Sequence, residues 1–344
     1  AGYPVGRYLE FPPHTRYIGH SPFSWPAFAV FTVIILAVVI PLVILGFNRF
    51  KERPQKAALS TRNPFPRWGW IGVTTGIIAW ILAWTRFSWF SPLQPHTFSP
   101  LWFSYILVVN ALCVRRTGHS LMTDRPGFFL LLFPVSAVFW WFFEYLNRFV
   151  QNWYYTGAEF SPRAYFWYAT LSFATVLPAV LSTKQWLQSA NWIRLGYGDI
   201  RPIRLSNPRK IAGCILLLSA AGLAGIGIWP NHLFPLLWVS PLLILVCLQA
   251  FMKERHIFSE MAAGDWRDAV AAALAALVCG WFWEMWNYFS LAKWEYSVPL
   301  VHRFQIVEMP LLGYGGYLPF GLECVVIGGM LQKLLKKLIL VVFP

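Results

Sequence analysis

The sequence predicts an all-α integral membrane protein of about nine transmembrane helices: one anchor helix, then two parallel four-helix repeats. Three observations carry that expectation. The 344 residues are 57% hydrophobic and only 12% charged, where soluble domains hold about 25% charged residues. Such a chain has too little polar surface to cover a water-soluble globule and too much apolar surface to stay disordered. Apolar stretches near the roughly 20 residues needed to cross about 30 Å of hydrocarbon recur along its length. Finally, residue types uncommon in membrane spans repeat at a nearly constant offset.

The apolar stretches fall at about 25–47, 68–87, 98–114, 127–147, 164–183, 210–229, 233–251, 268–290 and 311–332. The first runs into Arg49, Lys51 and Arg53 with no small-residue cleavage site, so it reads as an anchor rather than a signal peptide. Segments 48–67, 115–126, 184–210, 252–267 and the tail hold 21 of the 28 Lys and Arg residues, and the intervening connections hold the other seven. Basic connections stay in the cytoplasm, so the N-terminus is expected outside and the C-terminus inside, in the bacterial inner (cytoplasmic) membrane. Lys333, Lys336 and Lys337 read as a helix end held on anionic lipid. The net charge of +14 belongs to these connections, and nucleic acid is not an expected partner.

The repeat is specific. His96-Thr-Phe98-Ser-Pro-Leu-Trp102 matches His232-Leu-Phe234-Pro-Leu-Leu-Trp238, and Trp141-Phe-Phe-Glu144-Tyr-Leu-Asn147 matches Trp281-Phe-Trp-Glu284-Met-Trp-Asn287. Trp153-Tyr-Tyr155 then matches Trp294-Glu-Tyr296, and Arg163 matches Arg303. An even number of spans per unit keeps the two units parallel. The organisation expected is an outer segment 1–24, the anchor 25–47, a basic cytoplasmic linker 48–67, a first unit 68–183, a cytoplasmic linker 184–209, a second unit 210–332 and a basic tail 333–344. Glycines at 72 and 76, and at 222, 225 and 227, allow close approach of spans.

Ionisable groups inside spans are costly, so they face protein or water and usually matter. Glu144 and Glu284 each precede an Asn by three residues, which puts acid and amide on one helical face. In the bland reading each Glu pairs with the Arg of its own unit, Arg163 or Arg303, and each Asn ties down a loop carbonyl, so that the duplicated set is a structural clamp. In the sharper reading the second unit is a reaction centre, since it adds Glu308 and Glu323. The segment between them carries two Pro and four Gly, and a broken backbone at membrane depth survives only where protein or a cavity covers it. A shared outer pocket of Glu284, Asn287, Arg303, Glu308 and Glu323 is therefore expected. His96 and His232 read as interfacial residues, with no haem signature. The five Cys, without a CxxC pair, imply neither a metal site nor a disulfide framework.

The order of acid, W-x-Y loop, then Pro and Glu in the next span resembles the carotenoid-modifying integral membrane families, the lycopene cyclase domain and carotenoid hydratase types. Glu284, Asn287, Trp294, Tyr296, Glu308, Pro310 and Glu323 carry the resemblance over about residues 280–325, with an echo at 140–182. It implies carboxylic acids in an apolar cleft that protonate a polyene, with aromatic rings stabilising the cation.

Three functions compete. The first is acid–base modification of an isoprenoid or other lipid without a redox cofactor, which requires a carboxylic acid held neutral in an apolar setting. Glu284, Glu308 and Glu323 would share the acid and base roles, and Asn287 and Arg303 would orient them. Trp281, Trp283 and Trp294 would face a cation, with Tyr296 beside them. The second is a non-catalytic scaffold subunit of a larger pigment- or quinone-containing complex, its partners other membrane subunits. The third is a transporter, since parallel repeats and broken helices occur there too. Membrane lipids are expected partners in every case.

Overall fold

The computed structural model describes residues 4–52, 63–203 and 206–342; Arg53 and much of the 48–67 linker lie outside them. The chain is 71% helical with almost no sheet. Its main helices are α1 (Trp25–Glu52), α2 (Arg67–Trp84), α3 (Phe98–Thr117), α4 (Pro126–Val150), α5 (Pro162–Phe173), α6 (Val176–Gln188), α7 (Asn191–Gly196), α8 (Pro208–Gly225), α9 (Leu236–Phe251), α10 (Arg267–Tyr288) and α11 (Tyr317–Val342). Among the described residues, seven helical stretches are long and apolar enough to cross a membrane: Trp25–Lys51, Gln94–Thr117, Pro126–Val150, Pro162–Gln188, Pro208–Gly225, Arg267–Tyr288 and Leu311–Leu338. The chain is thus a helical membrane protein. α2, of 18 residues, and α9, a shorter apolar helix of 16, stand among them.

Local chemistry accounts for the breaks. α5 and α6 form one rod interrupted at Ala174 and Thr175. Ser136 of α4 repairs the gap, donating to the Phe173 carbonyl at 2.6 Å and accepting from Leu177 N at 3.0 Å. This is the side-chain insertion that kinks helices elsewhere. The Gly-rich stretch Leu311–Gly316 is a tight 3-10 turn rather than α-helix, and α11 begins only at Tyr317.

Neighbours are set by small residues. Gly72 of α2 sits where a methyl would press on Leu107 and the Ser104 carbonyl of α3, and Gly321 of α11 lies against the Ala272 carbonyl of α10. α2 pairs with α3, α8 with α9, and α10 with both α11 and α6. The largest fully buried side chains include Trp102, Phe143 and Phe320. α1 stands apart from this core. It touches the bundle chiefly through α7 near its C-terminal end, where Gly46 is buried against Tyr197, and through the 311–316 turn, and its most apolar 18-residue stretch has no buried residue.

Two short ribbons complete the fold. β1 (Trp153–Thr156) pairs antiparallel with β2 (Lys293–Tyr296), placing Trp153 opposite Tyr296 and Tyr155 opposite Trp294. β3 (Gln305–Ile306) and β4 (Met309–Pro310) form a hairpin around Val307 and Glu308, with Val307 in the left-handed region at φ 62°.

Candidate functional site

The two Glu-x-x-Asn faces build two similar nests at the ends of α4 and α10. In the first, Asn147 donates to the Trp153 carbonyl at 2.8 Å and accepts from Asn152 N at 2.8 Å, which fixes the start of β1. Glu144 Oε1 accepts from Trp140 Nε1 at 3.1 Å, Trp153 Nε1 at 3.0 Å and the Tyr155 hydroxyl at 2.6 Å. In the second, Asn287 donates to the Trp294 carbonyl at 2.7 Å and accepts from Trp294 N at 2.8 Å. Glu284 Oε1 accepts from the hydroxyls of Tyr296 at 2.7 Å and Tyr317 at 2.8 Å. Trp294 Nε1 donates to Tyr296 Oη at 2.9 Å, completing a chain from indole to hydroxyl to carboxyl. Glu284 is fully buried, and its Oε2 has no hydrogen-bond partner.

The β1–β2 ribbon joins the nests, and a large cavity opens beside them. Its volume is about 1790 Å³, well above the roughly 300–1,000 Å³ of ordinary small-molecule pockets. One wall is α1, through residues such as Ile35, Val38 and Leu42. The facing wall carries Trp140, Trp153 and Tyr155 from the first nest and Trp283, Trp294, Tyr296 and Tyr317 from the second. Neither Glu lines the space. Each stands one layer behind it, in hydrogen-bond contact with tyrosines that do. The ring faces offer sites for a cation, and the Tyr hydroxyls offer a proton route from a buried carboxyl to the cavity.

The other expected residues lie elsewhere. Arg303 is exposed and packs its guanidinium on Phe23, Trp25 and Phe304, with centroid distances of 5.0, 5.3 and 5.4 Å, so it orients no acid. Arg163 is exposed at the start of α5, and Trp281 is exposed on the outside of α10. Among the described residues, neither Glu144 nor Glu284 forms an ion pair with an arginine, so the Glu–Arg half of the clamp reading does not hold, while its other half does: Asn147 and Asn287 each tie down a ribbon carbonyl. Glu308 sits in the β3–β4 turn and pairs with Lys293 at 2.6 Å. Burial weighs against the Lys293 charge, but the Glu308 and Glu295 carboxylates outweigh it and raise its pKa. Glu323 is buried within α11, its Oε2 without a partner. Among the described residues the expected set of Glu284, Asn287, Arg303, Glu308 and Glu323 is not joined by hydrogen bonds or ion pairs, because Tyr296 and Tyr317 take up Glu284, Lys293 takes up Glu308 and Arg303 stacks on aromatic rings.

Tyr317 was not anticipated, nor was the part of α1 as a cavity wall. Tyr317 had one signal, its place at the end of Gly313-Tyr-Gly-Gly-Tyr317; Gly280 of α10 leaves the space against which its ring packs. Among the described residues no group of three or more His, Cys, Asp or Glu side chains gathers in a metal-binding arrangement. No family model, no curated protein and no solved structure matches the chain.

Proposed function

We propose that the protein binds an isoprenoid or another long apolar lipid of the bilayer in this cavity and modifies it by acid–base chemistry. One observation carries the reading: a fully buried Glu284 accepts hydrogen bonds from two tyrosines, Tyr296 and Tyr317, that both line a large apolar cavity. Protonated Glu284 gives its proton through a Tyr hydroxyl to an alkene carbon, and the cation rests against Trp283 and Trp294. The carboxylate then recovers a proton from a neighbouring carbon by the same route. The net reaction is an isomerisation or ring closure that needs no oxidant or reductant. It agrees with the chemistry that the resemblance to lycopene cyclase domains implies, with the tyrosines rather than Glu308 or Glu323 at the cavity wall.

The finer architecture belongs to the same proposal. α2 and α9 bring the crossings to nine, with the N-terminus outside and the C-terminus in the cytoplasm of a bacterial inner membrane. The two four-helix units are parallel repeats. Support comes from the order of neighbours: α2–α3, α3–α6 and α4–α6 in one unit, α8–α9, α9–α11 and α10–α11 in the other. The equivalent roles of Asn147 and Asn287 support it too.

The test is chemical. Protein purified with its native lipids should carry a bound isoprenoid or other apolar lipid on extraction and mass spectrometry. Cells making Glu284→Gln, folded to wild-type yield, should accumulate its unmodified form. An unchanged lipid and pigment profile would overturn catalysis, and co-purification with other membrane subunits would then favour the scaffold.

A further inference from the structure

The two nests differ in one respect that their similarity conceals. A second, small cavity of about 50 Å³, lined by Glu144, Asn147, Arg148, Gln151 and Ser297 among others, adjoins Glu144. It lies beneath a strap formed by residues 14–20. The strap is pinned to the end of α4: Tyr17 N and Ile18 N donate to Gln151 Oε1 at 2.9 and 3.0 Å, and Gln151 Nε2 donates to the Thr15 carbonyl at 2.8 Å. His20 bridges the Val150 carbonyl at 2.8 Å and Ser297 Oγ at 2.5 Å. Since a buried water needs roughly 10–15 Å³ and two to four polar partners, this space suits a short water chain. Trp153 and Tyr155 line both the small cavity and the large one. Glu144 keeps 6% of its surface accessible where Glu284 keeps none.

We propose that Glu144 is a second proton site, in exchange with water on the face covered by the strap, and that Tyr155 connects it to the large cavity. Hydronium carried in from the bulk along the waters of the small cavity protonates the Glu144 carboxylate and leaves water behind. Glu144 passes a proton to the Tyr155 oxygen as the Tyr155 hydroxyl proton leaves for a base in the large cavity. No electron pair is gained or lost overall, and the acid is restored from the bulk. The charged and titratable groups facing this site are Arg148 of α4, Tyr165 of α5, Tyr154 and Tyr155 of β1, and His14, Arg16 and His20 of the strap. The units therefore divide the work: Glu284 is dry and Glu144 is open to water. The proposal stands independently of the lipid chemistry assigned to Glu284.

Infrared difference spectroscopy on the full chain in lipid nanodiscs tests it without any substrate. Carboxyl bands are followed after rapid pH steps in both directions, with Glu144→Gln and Glu284→Gln assigning the signals. The Glu144 band should follow the bulk within the mixing time, about tenfold or more faster than that of Glu284, since a dry carboxyl responds only through local opening. A Glu144 band that lags with Glu284, or never responds while the protein stays folded, overturns the proposal. Ser297→Leu, which fills the small cavity, should slow Glu144 and leave Glu284 unchanged; His20→Leu gives the same readout should Ser297→Leu not fold. Unaltered Glu144 kinetics in the plugged variant would equally overturn it.

Discussion

Glu284 has no surface in contact with solvent, yet it holds two tyrosine hydroxyls in place. Removing its side chain therefore does more than delete an acid. Glu284→Ala leaves Tyr296 and Tyr317 without their acceptor in a dry site, at about 1–3 kcal/mol for each unsatisfied group. Glu284→Gln keeps an acceptor oxygen and loses only the transferable proton, so it should cost about 1 kcal/mol. Thermal unfolding in one detergent should rank wild type, Gln and Ala in that order, with Ala clearly lowest. Equal stability for Ala and Gln would mean that Glu284 does not hold the tyrosines. The spacing of Glu284, Asn287, Trp294 and Tyr296 was legible because helix period and a short strand leave few ways to arrange them. Arg303 was misjudged for a physical reason. Charge complementarity suggested a carboxylate partner, but a guanidinium also stacks on aromatic rings, and Phe23, Trp25 and Phe304 lie within its reach.

Among the elements, the N-terminal strap has the most specific environmental response. Burial lowers the His20 pKa below its ordinary value of 6.5, partly offset by the hydrogen bond to the Val150 carbonyl. A histidine shifted down favours its neutral form in the docked state. Its contribution is complete above about pH 6.5 and is lost as pH falls through the lower docked value. Protease sensitivity of residues 14–24 should rise as pH drops from about 7 to about 5, and His20→Phe should flatten that dependence. A pH-independent cleavage rate in the wild type would show that His20 does not hold the strap. Elements defined by local pattern could be read from the sequence: helix covers most of each apolar stretch, with ends at Trp84 and Gly225 short of the expected 87 and 229. The break at 311–316 was legible in its glycines. The hairpin that carries Glu308 was not, because Val307 adopts a left-handed backbone that β-branched residues rarely take. The cavity was equally hidden, since α1 reads as an anchor until its packing partners are known.

For the whole molecule, contacts of charged side chains link distant segments of the chain. Arg49 donates to the Asp199 carbonyl, Arg116 donates to the Trp186 carbonyl, Lys184 pairs with Asp268, and Lys333 pairs with Glu254. These residues come from five basic segments far apart in sequence, and the fold brings them into contact with one another. In the proposed orientation, with the basic segments in the cytoplasm, the ribbon, the strap and Glu144 lie at the outer face. The residue types at each end were legible from the sequence as a charge alternation; which residues meet there depends on long-range helix packing that no local pattern encodes. Two exposed positions test the orientation, Ser206 in a basic segment and Glu159 beside β1. In a background without the native cysteines, Ser206→Cys should react with a membrane-impermeant maleimide only after the cells are opened. Glu159→Cys should react in intact spheroplasts. The reverse pattern would put the strap and its small cavity in the cytoplasm, and protons reaching Glu144 would then come from inside the cell.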